Sequence, residues 1–244
     1  MRTAFRTLIV VLPAAALALL AGCAGTGFGG DGGAPAVEAP AYAVGDRWTY
    51  SATDGFFRSA VTWTETHEVM AVGADGVTVR ITQKGSTVAN QRIEQWPAPG
   101  KVRVGALFDA ETRRFDPVVL DRYRYPLASG RTWSQWLDNF DESTGKPGQI
   151  NHYVRVGGWD KVTTPAGTFD AISLRVLMRL DDEEFWRWPT TCNYLVWYAP
   201  AVRGIVREEK EGQYREKGDA IDGQSTIRSQ HAVVELTGFT PGKR

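Results

Sequence analysis

Thiol and imidazole chemistry is scarce here, with two cysteines and three histidines in 244 residues. No Cys-x-x-Cys or His-x-His spacing occurs, so the metal-site patterns that rest on clustered ligands are missing. Net charge is missing too: 28 basic residues balance 28 acidic ones. No basic excess or block invites nucleic acid or anionic headgroups. No Gly-x-Ser-x-Gly elbow announces a serine hydrolase. Long apolar runs are confined to the first twenty residues, and amphipathic helical periodicity is weak throughout. Residues 108–124 and 205–217 are each compatible with one short helix.

What is present begins with an address. Arg2 and Arg6 precede an apolar stretch from Leu8 to Leu20. That stretch is too short for a membrane helix, which needs about 20 apolar residues, and matches a secretory signal. Leu20-Ala21-Gly22-Cys23 resembles the lipobox of bacterial lipoproteins. The resemblance implies cleavage before Cys23, a thioether-linked diacylglycerol on its sulfur and a further acyl chain such as palmitate on its nitrogen. Several chains anchor stably where one is marginal, since each buried methylene contributes about 0.8 kcal/mol. Ala24, in place of the aspartate that commonly retains such proteins at the inner membrane, favours the outer membrane facing the periplasm.

Cleavage removes two of the 28 basic residues, leaving 26 against 28 acidic in the mature chain. With Cys23 lipidated, Cys192 cannot form an internal disulfide and reads as a buried thiol beside Tyr194 and Trp197. Residues 23–40 are Gly-, Ala- and Pro-rich and read as a flexible tether. One domain is expected over 41–240.

Within that domain the period is two. Val77, Val79 and Ile81 alternate with polar residues, as do Ile150, His152, Val154 and Val156, and again Ile172, Leu174, Val176, Met178 and Leu180. Such alternation builds antiparallel strands that cover a core on one side. Ala74-Asp75-Gly76 and Thr164-Pro165-Ala166-Gly167-Thr168 read as tight hairpins, and Asn139 to Gly148 as a polar loop. The fold class is all-β: a single curled antiparallel sheet, an open or half barrel, with few or short helices. An offset of 85 residues aligns eight identities between 45 and 78 and their counterparts, among them Gly45 with Gly130, Trp48 with Trp133 and His67 with His152. Two duplicated halves would explain this.

The segment Val162-Thr163-Thr164-Pro165-Ala166-Gly167-Thr168-Phe169-Asp170-Ala171 is similar to a hairpin of a group of uncharacterised bacterial envelope lipoproteins. Trp197-Tyr198-Ala199-Pro200, Gly204-Ile205-Val206 and the opening Val44-Gly45-Asp46-Arg47-Trp48-Thr49-Tyr50 resemble them as well. The resemblance extends distantly to the carriers LolA and LolB, whose curled sheet surrounds an apolar cavity. It implies a fold and an address, and no catalytic residue.

Three features invite a chemical reading. His67 and His152 would stand at equivalent places of the two halves; a shared site is one reading and paired structural histidines the favoured one, with His231 apart. Asp181-Asp182-Glu183-Glu184 does not have the alternating spacing of a calcium loop and reads as a solvated hairpin tip. Trp186 and Trp188 at i and i+2 share one strand face. They would contact a ligand or partner there, or else plug the core, where nine tryptophans must mostly go. The functional expectation is a non-enzymatic envelope module that binds a protein partner or an apolar or glycan ligand, without cofactor or metal. The alternatives are a periplasmic hydrolase and a lipid carrier. Cys23→Ala is expected to leave the protein unlipidated and extractable without detergent; fractionation finding it still in the membrane contradicts the anchor.

Overall fold

The computed structural model describes residues 34–56, 59–103, 119–141, 146–218 and 225–243. The signal segment 1–22, Cys23 and most of the stretch 23–40 lie outside the described residues, as does most of 108–124.

Twelve strands follow in order: β1 (Arg47–Asp54), β2 (Val61–Gly73), β3 (Gly76–Gly85), β4 (Ala89–Trp96), β5 (Lys101–Val102), β6 (Leu120–Asp121), β7 (Thr132–Asp141), β8 (Lys146–Thr164), β9 (Gly167–Arg179), β10 (Thr191–Ala199), β11 (Gly204–Arg215) and β12 (Thr226–Thr240). Ten form one antiparallel sheet in the order β4-β3-β2-β1-β12-β11-β10-β9-β8-β7, not closed into a barrel; β5 and β6 form a separate ribbon. Every neighbouring pair is sequential except β1 with β12, which joins the two ends of the chain. Among the described residues the only helical turn is a 3-10 turn at Pro200–Val202.

Burial follows the period of two. Val77, Val79, Ile81 and Gln83 point inward on β3, and Cys192, Tyr194, Val196 and Tyr198 on β10. Cys192 is buried in the same apolar cluster as Tyr194, while Trp197 falls on the other face. Residues 205–217 are not helical. Their Glu- and Lys-rich composition favours a helix locally, but pairing with both β10 and β12 overrides it. Likewise the expected loop 139–148 is mostly hairpin, since Asp141 pairs with Lys146.

The inner face splits into two apolar clusters. Trp48, Tyr50, Val79, Ile81, Val234 and Leu236 belong to one, and Leu137, Ile150, Val154, Leu174, Val176 and Val196 to the other. The ribbon β5–β6 spans the gap between the edge strands. Arg103 N–H donates to Gln95 O on β4 (2.7 Å). On the far side Gln135 of β7 accepts from Asp121 N–H (2.9 Å) and donates to Val119 O (2.8 Å), and Trp133 Nε1 donates to Asp121 O (3.0 Å). The strap continues to Leu127, which pairs with Val37, so the packed body reaches back into the stretch read as tether.

Both halves open on the same turn. Asp46 N–H donates to Ala43 O and Arg131 N–H to Ala128 O, each at 3.0 Å, around Gly45 (φ 87°) and Gly130 (φ 83°). Trp48 then pairs with His67, whereas Trp133 pairs with Val154. The second strand of the second half is therefore advanced by two residues, which preserves its inward face. A bulge between Val156 and Trp159 bends the long β8–β9 hairpin, and Ala166 N–H at its tip donates to Leu236 O (3.1 Å).

The two expected hairpins form, with Gly76 at φ 102° and Gly167 at φ 132°. A Cβ on Gly76 would lie 2.1 Å from Trp96 O, whereas one on Gly130 would meet nothing within 4 Å. Gly130→Ala should cost about 1 kcal/mol of urea-unfolding free energy, from the left-handed backbone alone. Gly76→Ala should cost about 2 kcal/mol more, because strand β4 must move; equal costs would contradict the close approach.

Candidate functional site

Strict alternation should make the inner face wholly apolar, and it does not. On β2 the inward positions run Trp63, Glu65, His67, Val69. On β11 Glu208 and Lys210 share the cleft with Ile205, and on β4 Arg92 and Glu94 do. His152 enters from β8, and Arg122 and Tyr123 from the strap. These side chains converge on one cleft of about 90 Å³, walled on its apolar side by Ile81, Leu120, Val176, Met178 and Val196.

Each buried carboxylate is held. Glu65 accepts from His67 Nε2 (2.5 Å), Gln83 Nε2 (2.6 Å) and Trp63 Nε1 (3.4 Å). The Tyr50 ring lies against His67, tilted by 58°, with ring centres 5.1 Å apart. Burial pushes the Glu65 pKa up, but the hydrogen bond and charge of His67, with help from Lys210 and Gln83, outweigh it and hold the group well below the ordinary carboxylate range. Glu94, fully buried, accepts from Trp96 Nε1 (2.9 Å) and Arg122 (3.2 Å), with Arg92 Nε at 3.5 Å. Burial again raises its pKa, and the two guanidiniums more than reverse that. Lys210 Nζ lies 3.3 Å from Glu208.

His152 differs. It is 2% exposed, and its Nδ1 has no hydrogen-bond partner. The two histidines expected at equivalent positions thus line one cleft, but in different states, because the two-residue advance of β8 sets His152 opposite Gln135. His231 sits apart, 3.4 Å from Glu211. Among the described residues no three His, Cys, Asp or Glu side chains gather as a metal site.

Trp186 and Trp188 are neither on a strand nor in the core. They occupy the connection between β9 and β10, each 40% exposed, with Phe185 almost fully exposed beside them. The loop cannot extend as a strand because Asp182, expected in solvent, is buried and folds it. Its Oδ1 accepts from Thr190 N–H and its Oδ2 from Thr190 Oγ1, both at 2.7 Å, and Arg187 lies 2.9 Å away. Arg187 covers Trp186 at 5.4 Å, and Lys217 Nζ covers Trp188 at 4.8 Å.

No protein-family model matches the chain, and no curated protein matches it. Its fold is similar to that of a candidate lipoprotein from Parabacteroides distasonis, at 15% identity and a TM-score of 0.50, covering 85% of this chain and 100% of that one. A candidate exported protein with a YmcC-like fold from Bacteroides fragilis also matches, at 14% identity and a TM-score of 0.42, covering 84% of this chain and 100% of that one. The likeness is one of fold.

Burial first, and then the charge of Arg122, bring the His152 pKa from 6.5 down to about 4. An unfolded chain protonates this imidazole near 6.5 and the folded one only near 4. Between those values the unfolded state binds the extra proton, so stability falls as pH drops. From pH 7 to pH 5 the wild type should lose about 2 kcal/mol more urea-unfolding free energy than His152→Leu. Parallel losses would contradict a neutral, buried His152.

Proposed function

We propose that this chain is a lipid-anchored protein of the cell envelope, held at the outer membrane through Cys23, which binds a small ligand non-enzymatically in the cleft beneath its curled sheet. The anchor rests on Leu20-Ala21-Gly22-Cys23, and the occurrence of the same fold in a candidate lipoprotein is in keeping with it.

The cleft carries the binding part of the reading. Its decisive feature is His152, a buried imidazole whose Nδ1 is unsatisfied while every carboxylate around it is matched. A buried polar atom left without a partner costs about 1–3 kcal/mol, and a bound molecule would recover that. Among the described residues the lining includes no serine, threonine or cysteine to serve as nucleophile, which favours binding over acyl transfer. A carrier of acyl chains, the reading that a resemblance to LolA and LolB would imply, needs an apolar interior. Here three carboxylates and three cations cross it, which disfavours that reading. A protein partner is the second reading, and exposed Phe185, Trp186 and Trp188 favour it.

Native purification of the lipidated chain in detergent, followed by native mass spectrometry, separates these readings. A bound small molecule should accompany the wild type and disappear from Met178→Trp, which fills the cleft, and from the milder Val196→Phe. Retention of that mass in both variants, or its loss on Trp186→Ala with Trp188→Ala instead, contradicts the cleft.

A further inference from the structure

We infer that the ligand of the cleft is a small anion, a carboxylate or phosphate group received by Arg122, Arg92 and His152; this rests on the cleft being a ligand site. Arg92 and Arg122 approach the same carboxylate, Glu94, and among the described residues it is the only one within 4 Å of either. Around that carboxylate two guanidiniums meet a single negative charge, while Glu208 is held by Lys210 at 3.3 Å and Glu65 by His67, Gln83 and Trp63.

The donors are also uncommitted. One nitrogen of Arg122 reaches Glu94, leaving the rest of a five-donor fork for another acceptor. Arg92 Nε is buried without a hydrogen-bond partner. His152 Nδ1, entering from β8, is likewise buried without a partner. With its proton on Nδ1, the neutral imidazole donates to an anion oxygen without adding charge. An anion therefore accepts from donors that the protein leaves open, in charge-assisted bonds to the two guanidiniums. A neutral polyol accepts the same bonds without the charge assistance, and an acyl chain has no acceptor along its length.

Isothermal titration of the full lipidated chain in detergent tests this. Sodium phosphate and sodium acetate are the probes, with sodium chloride at matched ionic strength and glucose as controls. Saturable binding of phosphate or acetate is expected, the stronger of the two naming the anion class. Affinity should fall about tenfold in His152→Leu and in Arg92→Gln, while His152→Gln, which keeps a donor, should retain most of it. Equal binding by wild type and variants would overturn the inference. So would binding of glucose with neither anion bound, although the cleft would then stand as the site. If no probe binds and the natively bound mass survives Met178→Trp, the cleft reading itself falls.

Discussion

An antiparallel sheet whose inner face is apolar must do something with its two edges. Here curling brings β4 and β7 towards each other without letting them pair, and the gap is bridged by a two-stranded ribbon held by a few backbone and side-chain bonds. The Glu94–Arg122 pair fixes the strap to β4 from the inside. The buried Glu94 and its partners trace to that bridge. Once a charged guanidinium enters from the strap, a carboxylate must meet it, and further partners must complete both.

Such a network is a poor way to gain stability. Desolvating the pair costs as much as its attraction returns, and well-packed apolar residues of similar volume commonly do better. The two apolar clusters on either side supply the burial that holds the sheet. The charges between them keep those clusters from merging into one filled core, so a cleft persists. His152 carries the same logic furthest: it forgoes a partner and is kept neutral by burial and by Arg122. A sheet needing only to fold would place leucine there.

Much of the architecture was legible because one rule governs it. Alternation at Val77–Ile81 and Ile172–Leu180 gives strands with one buried face, and Gly76 and Gly167 punctuate them. Local rules misread the places where tertiary pairing or a single polar anchor decides. The Glu- and Lys-rich run of β11 is a strand because neighbours bond both its edges. Trp186 and Trp188 leave the strand because Asp182 folds their loop around Thr190. The offset of 85 residues caught the shared Gly-x-x-Trp turn and both histidines. It could not show that β8 is advanced by two residues, since that lies in the register and not in either sequence. Arg122 carries no motif at all. A signal for the cleft did exist, in Glu65 and His67 standing at inward positions of β2 between Trp63 and Val69.

The central claim is that the interior charges serve the cleft and not the fold, and a double-mutant cycle on Glu94 and Arg122 measures it most directly. Urea unfolding should show each single variant, Glu94→Leu and Arg122→Leu, losing about 3–5 kcal/mol, because each strands a buried charge. The double variant should recover most of that loss. A double variant that loses as much as either single variant would mean that the pair holds the fold together, and the account would be contradicted.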